Sequence, residues 1–418
     1  MTRIARHIAQ TLLCLVLISG CTSLYDPSVV LCSNKAEFAA YAEAYNSAQS
    51  EYIVQIRYEK QPGIDQNDRR RPPDLLISTG LTDPSLLDTF QPLNRLFKET
   101  ETDPEDFYQN LLLLGTREDK QHVLPLNFNL PVVVYLEGAL TEEPPELLIP
   151  LDFMRSQSEA FNTAEDEILS RVGFSPLWNE EFLYYTAILF DAGFGATESG
   201  AVDWNPSALG SAVEYLRSWI TETNGGYERE AAFREKYMKI PYYKLLEERR
   251  ILFYFTDTES FMRIPPEKRE RLGFRWLSGS GQIPVLDNIT FAGVPRSAQN
   301  KAGAYDFLRW IFESETQTEL MEINQYKRLK GVYGIASGFS SLRAVNERHL
   351  PQPHFYPFFL GHIPTAEMLR FPLRLPVHWG DMKAEIIEPW LVEAVINPEP
   401  PESLATFLAT RQESNSPK

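Results

Sequence analysis

Residues 27–58 decide how this chain is read. Pro27-Ser28-Val29-Val30-Leu31-Cys32 is an apolar run of strand length, broken by Ser33-Asn34. Asn34 stands three residues before Glu37, the spacing of a capping box, and Phe38, Tyr41, Ala42 and Tyr45 then recur at helical spacing. Tyr52, Val54, Ile56 and Tyr58 alternate with Ile53, Gln55 and Arg57, which is the period of a strand. Working outward, residues 74–77 form a short apolar strand between Pro73 and Ser78-Thr79-Gly80. Leu86, Leu87, Phe90 and Leu93 restart a helix. This β-α-β-β-α order predicts an open, mostly parallel sheet wrapped by helices.

The later chain repeats the theme with more helix. Leu209, Val213, Leu216 and Ile220 share one face behind Pro206, residues 241–250 read as a helix running into a strand over 251–255, and 289–294 reads as another strand. Ala302, Tyr305, Leu308, Ile311 and Phe312 mark a further amphipathic helix. At 418 residues the chain exceeds one ordinary core, so two lobes are expected. Hydrophobic residues are 43%, which excludes wholesale disorder, and a net charge of -17 argues against a nucleic acid partner, whose phosphates would be repelled.

The N-terminus reads as an address. Arg3 and Arg6 precede the apolar stretch 8–18, too short to cross a bilayer comfortably, and Leu17-Ile18-Ser19-Gly20-Cys21 resembles the bacterial lipobox. Residues 1–20 are therefore expected to be a removed lipoprotein signal peptide, with Cys21 lipidated and the rest tethered to the membrane through that lipid. Loss of two arginines and no acid would take the balance from 40 against 57 to 38 against 57, or -19. Cys14 leaves with the signal and Cys21 carries lipid, so Cys32 has no partner for a disulfide and is expected to be a buried strand-end thiol.

With these elements in order, the chain resembles the bacterial extracellular solute-binding proteins of family 1, the carbohydrate-binding receptors of ABC importers. The resemblance rests on Val29-Val30-Leu31 before a helix, Pro73-Asp74-Leu75-Leu76-Ile77, Phe90-Gln91-Pro92-Leu93, and Leu124-Pro125-Leu126-Asn127 before Val133-Val134-Tyr135. It continues through Gly173-Phe174-Ser175-Pro176-Leu177-Trp178-Asn179, Phe291-Ala292-Gly293-Val294-Pro295 with Ala304-Tyr305-Asp306-Phe307-Leu308, and Ile363-Pro364, Val377-His378-Trp379 and Pro401-Glu402-Ser403-Leu404. It implies an α/β fold of two doubly wound lobes joined by crossing strands, type II periplasmic-binding-protein-like, with a ligand caught between them. Residues 21–128 and 285–340 would form the first lobe, 129–284 and 341–410 the second, more helical one, and 411–418 a frayed tail. The implied partners are a carbohydrate ligand and ABC permease and ATPase subunits, for a monomer in the cell envelope facing the periplasm or the exterior.

A sugar needs aromatic platforms for its C–H faces and polar side chains for its hydroxyls. Trp178, on a loop before a helix, and Trp379, at a helix start after a proline, are the aromatic candidates. Ser33, Asn34, Ser78, Thr79, Thr256 and Asp257 follow strands at positions where the family places ligand loops, and Asn127 and Asn129 approach the lobe crossing. Each also fits capping or turn formation. Trp310, Trp390, Trp219 and Trp276 read as core.

No hydrolase, metalloprotease, phosphate-loop or Cys-x-x-Cys motif is present, and the histidines at 349, 354, 362 and 378 fit no familiar ligand spacing. Neither enzyme nor cofactor is expected. Glu142-Glu143, Glu180-Glu181 and Glu247-Glu248 read as solvated surface. Three other readings stand beside the sugar receptor. One is a ferric-iron or other small-solute receptor of the same fold, using Tyr184-Tyr185 or Tyr242-Tyr243. The others are an adhesin or scaffold without a ligand, and an exported glycoside-active enzyme with two acids brought together by the fold.

Overall fold

The computed structural model describes residues 26–60, 62, 71–99, 102–165, 168–327, 332–397, 399 and 402–415, so Cys21 and the signal segment lie outside the described residues. The chain begins with β1 (Ser28–Ser33), α1 (Phe38–Ala48), β2 (Ile53–Tyr58) and β3 (Leu75–Ser78), followed by β4 (Leu124–Phe128), β5 (Pro131–Leu136) and β6 (Leu148–Pro150). The middle supplies α2 (Glu180–Leu189), α3 (Pro206–Ser218), α4 (Tyr227–Tyr237), β7 (Phe253–Asp257), α5 (Thr258–Met262) and β8 (Leu272–Ser278). The last third supplies β9 (Thr290–Gly293), α6 (Lys301–Ile311), α7 (Ser314–Tyr326), β10 (Phe339–Ser340), α8 (Trp379–Met382) and α9 (Glu388–Ile396). Among the described residues no helix is long and apolar enough to cross a membrane.

Two principal sheets organise these elements. The first has the order β10-β4-β9-β3-β1-β2, the second the order β7-β5-β8-β6. In the first, β1 runs parallel to both β2 and β3, as a β-α-β start requires. β9 returns antiparallel between β3 and β4, and β10 closes the edge antiparallel to β4. In the second, β5 is antiparallel to β7 and β8, and only β8 and β6 are parallel. The chain passes from the first sheet to the second through the two residues between β4 and β5, too few for a helical crossover. It returns through residues 285–289, and the Leu286 N–H donates to the Asn129 carbonyl at 2.9 Å, so the two crossings are tied side by side.

Alternation along the second sheet divides the core. Val133, Tyr135, Phe253 and Phe255 face one cluster with Phe182, Leu216 and Leu391 of the helices. Val132, Val134, Phe274 and Trp276 face the other, continuous with Leu31, Leu75 and Phe291 of the first sheet. The helical face read from spacing on α3 is buried as expected at Leu209, Val213 and Leu216, whereas on α6 Leu308, Ile311 and Phe312 are buried but Ala302 is exposed and Tyr305 half-buried, and Ala304 and Phe307 turn to the core instead. Cys32 is fully buried on β1, and burial pushes its thiol up to about 12, which leaves it unreactive.

Several expectations fail. The pairings in the two sheets are more often antiparallel than parallel, because β9, β10 and β5 return rather than cross over, and the helix read from Leu86 to Leu93 ends at Leu87, with Phe90 bridged to Pro295. Asn34 and Glu37 do not form a capping box, since the residue before α1 makes no side-chain cap. The Glu37 carboxylate instead accepts a hydrogen bond from the Ser337 hydroxyl, drawn off by a loop 300 residues away in sequence. Residues 345–349 pack against β10 and α7 on the first-sheet side, whereas α9 packs against α2 and α3 on the other.

Candidate functional site

The loops that leave the first sheet carry small polar residues at neighbouring strand ends. β1 and β3 are parallel and in register from Leu31 with Leu75 to Ser33 with Ile77, so Ser33-Asn34 and Ser78-Thr79 emerge at one edge. Ser33 is fully buried, and its hydroxyl accepts from the Lys35 N–H at 3.1 Å, fixing the turn into α1. Asn34 is half-buried, and its Oδ1 is enclosed without a protein partner. Ser78 is buried and Thr79 half-buried.

On the other side, Ser175 starts a short turn, Pro176–Trp178, and Asn179 caps α2 through the Glu181 N–H at 2.9 Å. Trp178 lies over Phe233 of α4, rings 5.9 Å apart and 19° from parallel, and its indole nitrogen is enclosed without a partner. The turn is anchored from below: the Ser175 hydroxyl and the Asn224 amide donate to the Glu230 carboxyl, each at 2.5 Å. Burial pushes Glu230 up to about 7 despite those two hydrogen bonds. A carboxyl raised in the fold lends stability that is complete below its unfolded pKa and is lost as pH climbs through the folded value. Glu388 is likewise raised to about 7 by burial. The urea midpoint is therefore expected to fall between about pH 5 and 7.5, with Glu230→Gln removing about half of that slope. An unchanged slope in the variant would show that Glu230 is ionised throughout.

Beside the turn, Lys383 joins two acids. Its Nζ is 2.9 Å from Asp287 Oδ1 and 3.3 Å from Glu181 Oε1, and the Lys383 and Asp287 side chains are 10% and 6% exposed. Asp287 also accepts from the Trp379 indole N–H at 2.6 Å and the Tyr185 hydroxyl at 3.1 Å. Burial works against the Asp287 charge, but the Lys383 ammonium and these donors outweigh it and hold the carboxyl below its ordinary value. Burial likewise opposes the Lys383 charge, and Asp287 and Glu181 raise its pKa regardless. Glu181 keeps 44% of its side chain exposed, with burial raising its carboxyl. It is the member of this cluster that solvent reaches best.

The remaining candidates are occupied within the protein. Trp379 is 4% exposed, packed against Tyr184 and Phe194, with its N–H committed to Asp287. Asn127 donates to the Ile335 and Ala336 carbonyls at 2.8 and 2.7 Å. Asn129 donates to Ser337 and accepts from Thr258 and Tyr333. Both asparagines thus pin the 333–338 loop, where Ala336 and Ser337 hold φ of 47° and 64°, to the lobe crossing. Thr256 is buried, and the Asp257 carboxylate caps α5 through the Ser260 N–H and hydroxyl, both at 2.7 Å.

Two grooves open along the line where the halves meet. One, about 750 Å³, runs between the start of α1 and α5, lined by Asn34, Lys35, Glu37, Glu259, Arg263 and Ser337. The other, about 610 Å³, lies between residues 110–114 and 193–198, with the strap 369–374 along it. Direct contacts cross the same line. Lys35 faces Glu259 at 4.0 Å, the Val377 N–H donates to Asp83 at 2.8 Å, and Arg374 donates to the carbonyls of Leu113, Leu114 and Thr116. At Gly80, where φ is +75°, a Cβ would lie 3.0 Å from the Val377 carbonyl oxygen, so glycine lets these two loops come this close. These contacts bridge the halves beside the grooves.

Two sheets joined by paired crossings, with a groove beside Asn34 at the end of β1, are matched across almost the whole chain by solved structures. The chain has the type II periplasmic-binding fold. The sugar-binding protein MalE of Xanthomonas citri superposes with a TM-score of 0.63 at 12% identity, covering 94% of this chain and 100% of its own. A sugar transporter of Rhizobium etli in an open conformation gives 0.62 at 14% identity over 94% and 100%. The cyclic alpha-maltosyl-1,6-maltose binding protein of Arthrobacter globiformis gives 0.60 at 17% over 93% and 98%. No protein-family model matches the chain, and no curated protein matches it by sequence.

Within this type II fold, sequence reasoning missed Asp287, Lys383 and Glu181. Glu181 had been grouped with Glu180 as solvated surface, yet it contacts a lysine 202 residues away. The tyrosine pairs do not offer an iron site. Tyr184 and Tyr185 are 1% and 2% exposed, and burial, then Asp287, pushes both phenols well above their usual range, against the phenolate form such a cation requires. Tyr242 stacks on Tyr254 at 3.6 Å and 3°, not on its sequence neighbour.

Proposed function

We propose that the chain is a non-enzymatic carbohydrate receptor that takes a sugar or oligosaccharide between its two halves and delivers it to an ABC importer. In this reading Cys21 carries the lipid that holds it at the envelope membrane. The observation that carries it is the groove between halves of a type II fold, bordered by carboxylates and amides on strand-end loops. Carboxylates and amide oxygens accept hydroxyl hydrogen bonds, and an indole offers an apolar face. Asn34 and Trp178 keep enclosed polar atoms without a protein partner, and Glu181 keeps an accessible carboxylate. Solved relatives in fold were obtained with mannotriose, cycloalternan and maltotriose bound, which names the class of ligand to try first. Transport follows by hinge closure: contacts from both halves favour the shut form, and the permease reads that form.

Titration calorimetry of the whole chain against mannotriose, maltotriose and cycloalternan is expected to give saturable heat with at least one sugar. Asn34→Ala combined with Glu181→Ala should weaken that binding about tenfold or more, since each group would be charged or buried against the ligand. Undiminished affinity in the double variant would remove these two residues from the site. Silence across a wide sugar panel would remove the carbohydrate reading. Mass spectrometry of the membrane-extracted protein should find acyl chains on residue 21 and none after Cys21→Ala.

A further inference from the structure

A third cavity, of about 780 Å³, shares no lining residue with either groove. It is walled by Phe261, Phe274, Tyr356 and Phe358, and two arginines, Arg269 and Arg275, reach into it. Along β8 the cavity runs from Leu272, paired with Leu136 at the end of β5 far from the lobe crossing, to Arg275, paired with Val133, and Phe261 of α5 lines it while Glu259 of the same helix lines the first groove.

The two arginines of this cavity are not directly paired with its acids. Among the described residues neither Arg269 nor Arg275 is ion-paired with a carboxylate, although each is half-buried. Arg269 lies over the Phe358 ring at 4.7 Å and makes only long contacts, 3.3 Å to the Met262 carbonyl and 3.5 Å to its sulfur. Arg275 donates to the Phe274 carbonyl at 2.8 Å and lies 3.3 Å from His362 Nε2, while its own Nε is enclosed without a partner. The acids at this cavity, Glu137 and Glu270, are exposed at its rim. A guanidinium carries five donors in a plane, and leaving them unmatched in a partly desolvated wall is costly.

We infer that this cavity is a second binding site, for a small organic anion with a flat aromatic body and one carboxylate. The body would lie among the phenylalanine and tyrosine rings, and the carboxylate would take paired N–H donors from Arg275 with Arg269 beside it. A neutral sugar can accept from the guanidinium groups but brings no charge to offset theirs, so a carboxylate suits this site better than a sugar does. The inference is independent of the carbohydrate reading.

The test is titration of the whole chain with 3-phenylpropionate and with its neutral amide, followed by saturation-transfer NMR. The acid is expected to bind saturably and about tenfold or more tighter than the amide, because only the acid gains charge-assisted hydrogen bonds. Arg275→Gln should cost the acid about tenfold while leaving the amide unchanged. Saturating mannotriose should displace neither compound. Equal affinity for acid and amide, no saturable binding of the acid, or unchanged acid binding in the Arg269→Gln, Arg275→Gln double variant overturns the site. Displacement by the sugar overturns its separateness. The acid-against-amide comparison uses the unaltered chain, so it stands even if a variant folds poorly.

Discussion

Lys383→Met is expected to destabilise the chain by about 3–5 kcal/mol, the usual consequence of leaving one member of a buried ion pair without its partner. The variant leaves Asp287 with a side chain 6% exposed and only the neutral donors of Trp379 and Tyr185 around it. Its carboxyl, held down in the native protein by the Lys383 ammonium, would then rise toward the protonated form. The sign of the pH effect follows. A carboxyl lowered in the fold adds stability above its unfolded pKa and forfeits it as pH falls through the folded value. The unaltered chain should therefore lose this contribution only in strong acid. In Lys383→Met the same carboxyl is raised, so stability should improve on mild acidification more steeply than the parent's does. Adding Asp287→Asn to Lys383→Met should recover more than half of the loss. Urea melts of parent and variants at pH 5 and pH 7.5 read the loss, its recovery and the steeper slope, and a Lys383→Met midpoint equal to the parent's would show that the pair is not buried in solution.

Asp74→Ala should cost a similar amount, about 3–6 kcal/mol, by a different route. Asp74 is fully buried at the entry to β3, where its two oxygens accept four hydrogen bonds. They come from the Val30 N–H at 2.9 Å, the Gln299 and Asn300 N–H groups at 2.7 Å each, and Arg71 at 3.0 Å. These tie β1, β3 and the start of α6 into one corner. Alanine strands three main-chain donors, each worth about 1–3 kcal/mol when buried unpaired. Asp74→Asn should fall between, since one oxygen can still serve Gln299 and Asn300 while the amide nitrogen confronts Val30 and Arg71 as donor against donor. A loss under about 1 kcal/mol for Asp74→Ala would mean that water replaces the carboxylate and that the corner is open.

The same corner shows how far the chain's pattern could be followed. Pro73-Asp74-Leu75-Leu76-Ile77 was recognisable as a strand entry, but nothing local said that Asp74 would hold backbone groups 44 and 226 residues away. Nor did it say that Arg71 would brace it while also holding Asp26 at 2.7 Å and the Ser28 carbonyl at 3.1 Å. Strand-end residues were legible as a group because polar residues just after an apolar run have few other places to be. Which of them face a groove was not legible. Asn127, Asn129 and Asp257 satisfy loops and caps, and Trp178 packs on Phe174 and Phe233, whereas Asn34 lines a groove and keeps an unmatched atom.

What the amino-acid order determined by itself is the local structure: periods of two and of about three and a half place strands and helices, because each element must bury one face. Order of elements along the whole length was enough to suggest the α/β two-lobed class, since short connections leave few topologies. Tertiary structure alone decided the rest. It set β5 antiparallel within the second sheet, assembled the Glu181, Lys383 and Asp287 cluster from three distant segments, and turned Trp379 inward onto Asp287. The reason is physical: a buried charge must find a partner wherever the fold supplies one, and sequence separation does not measure distance in space.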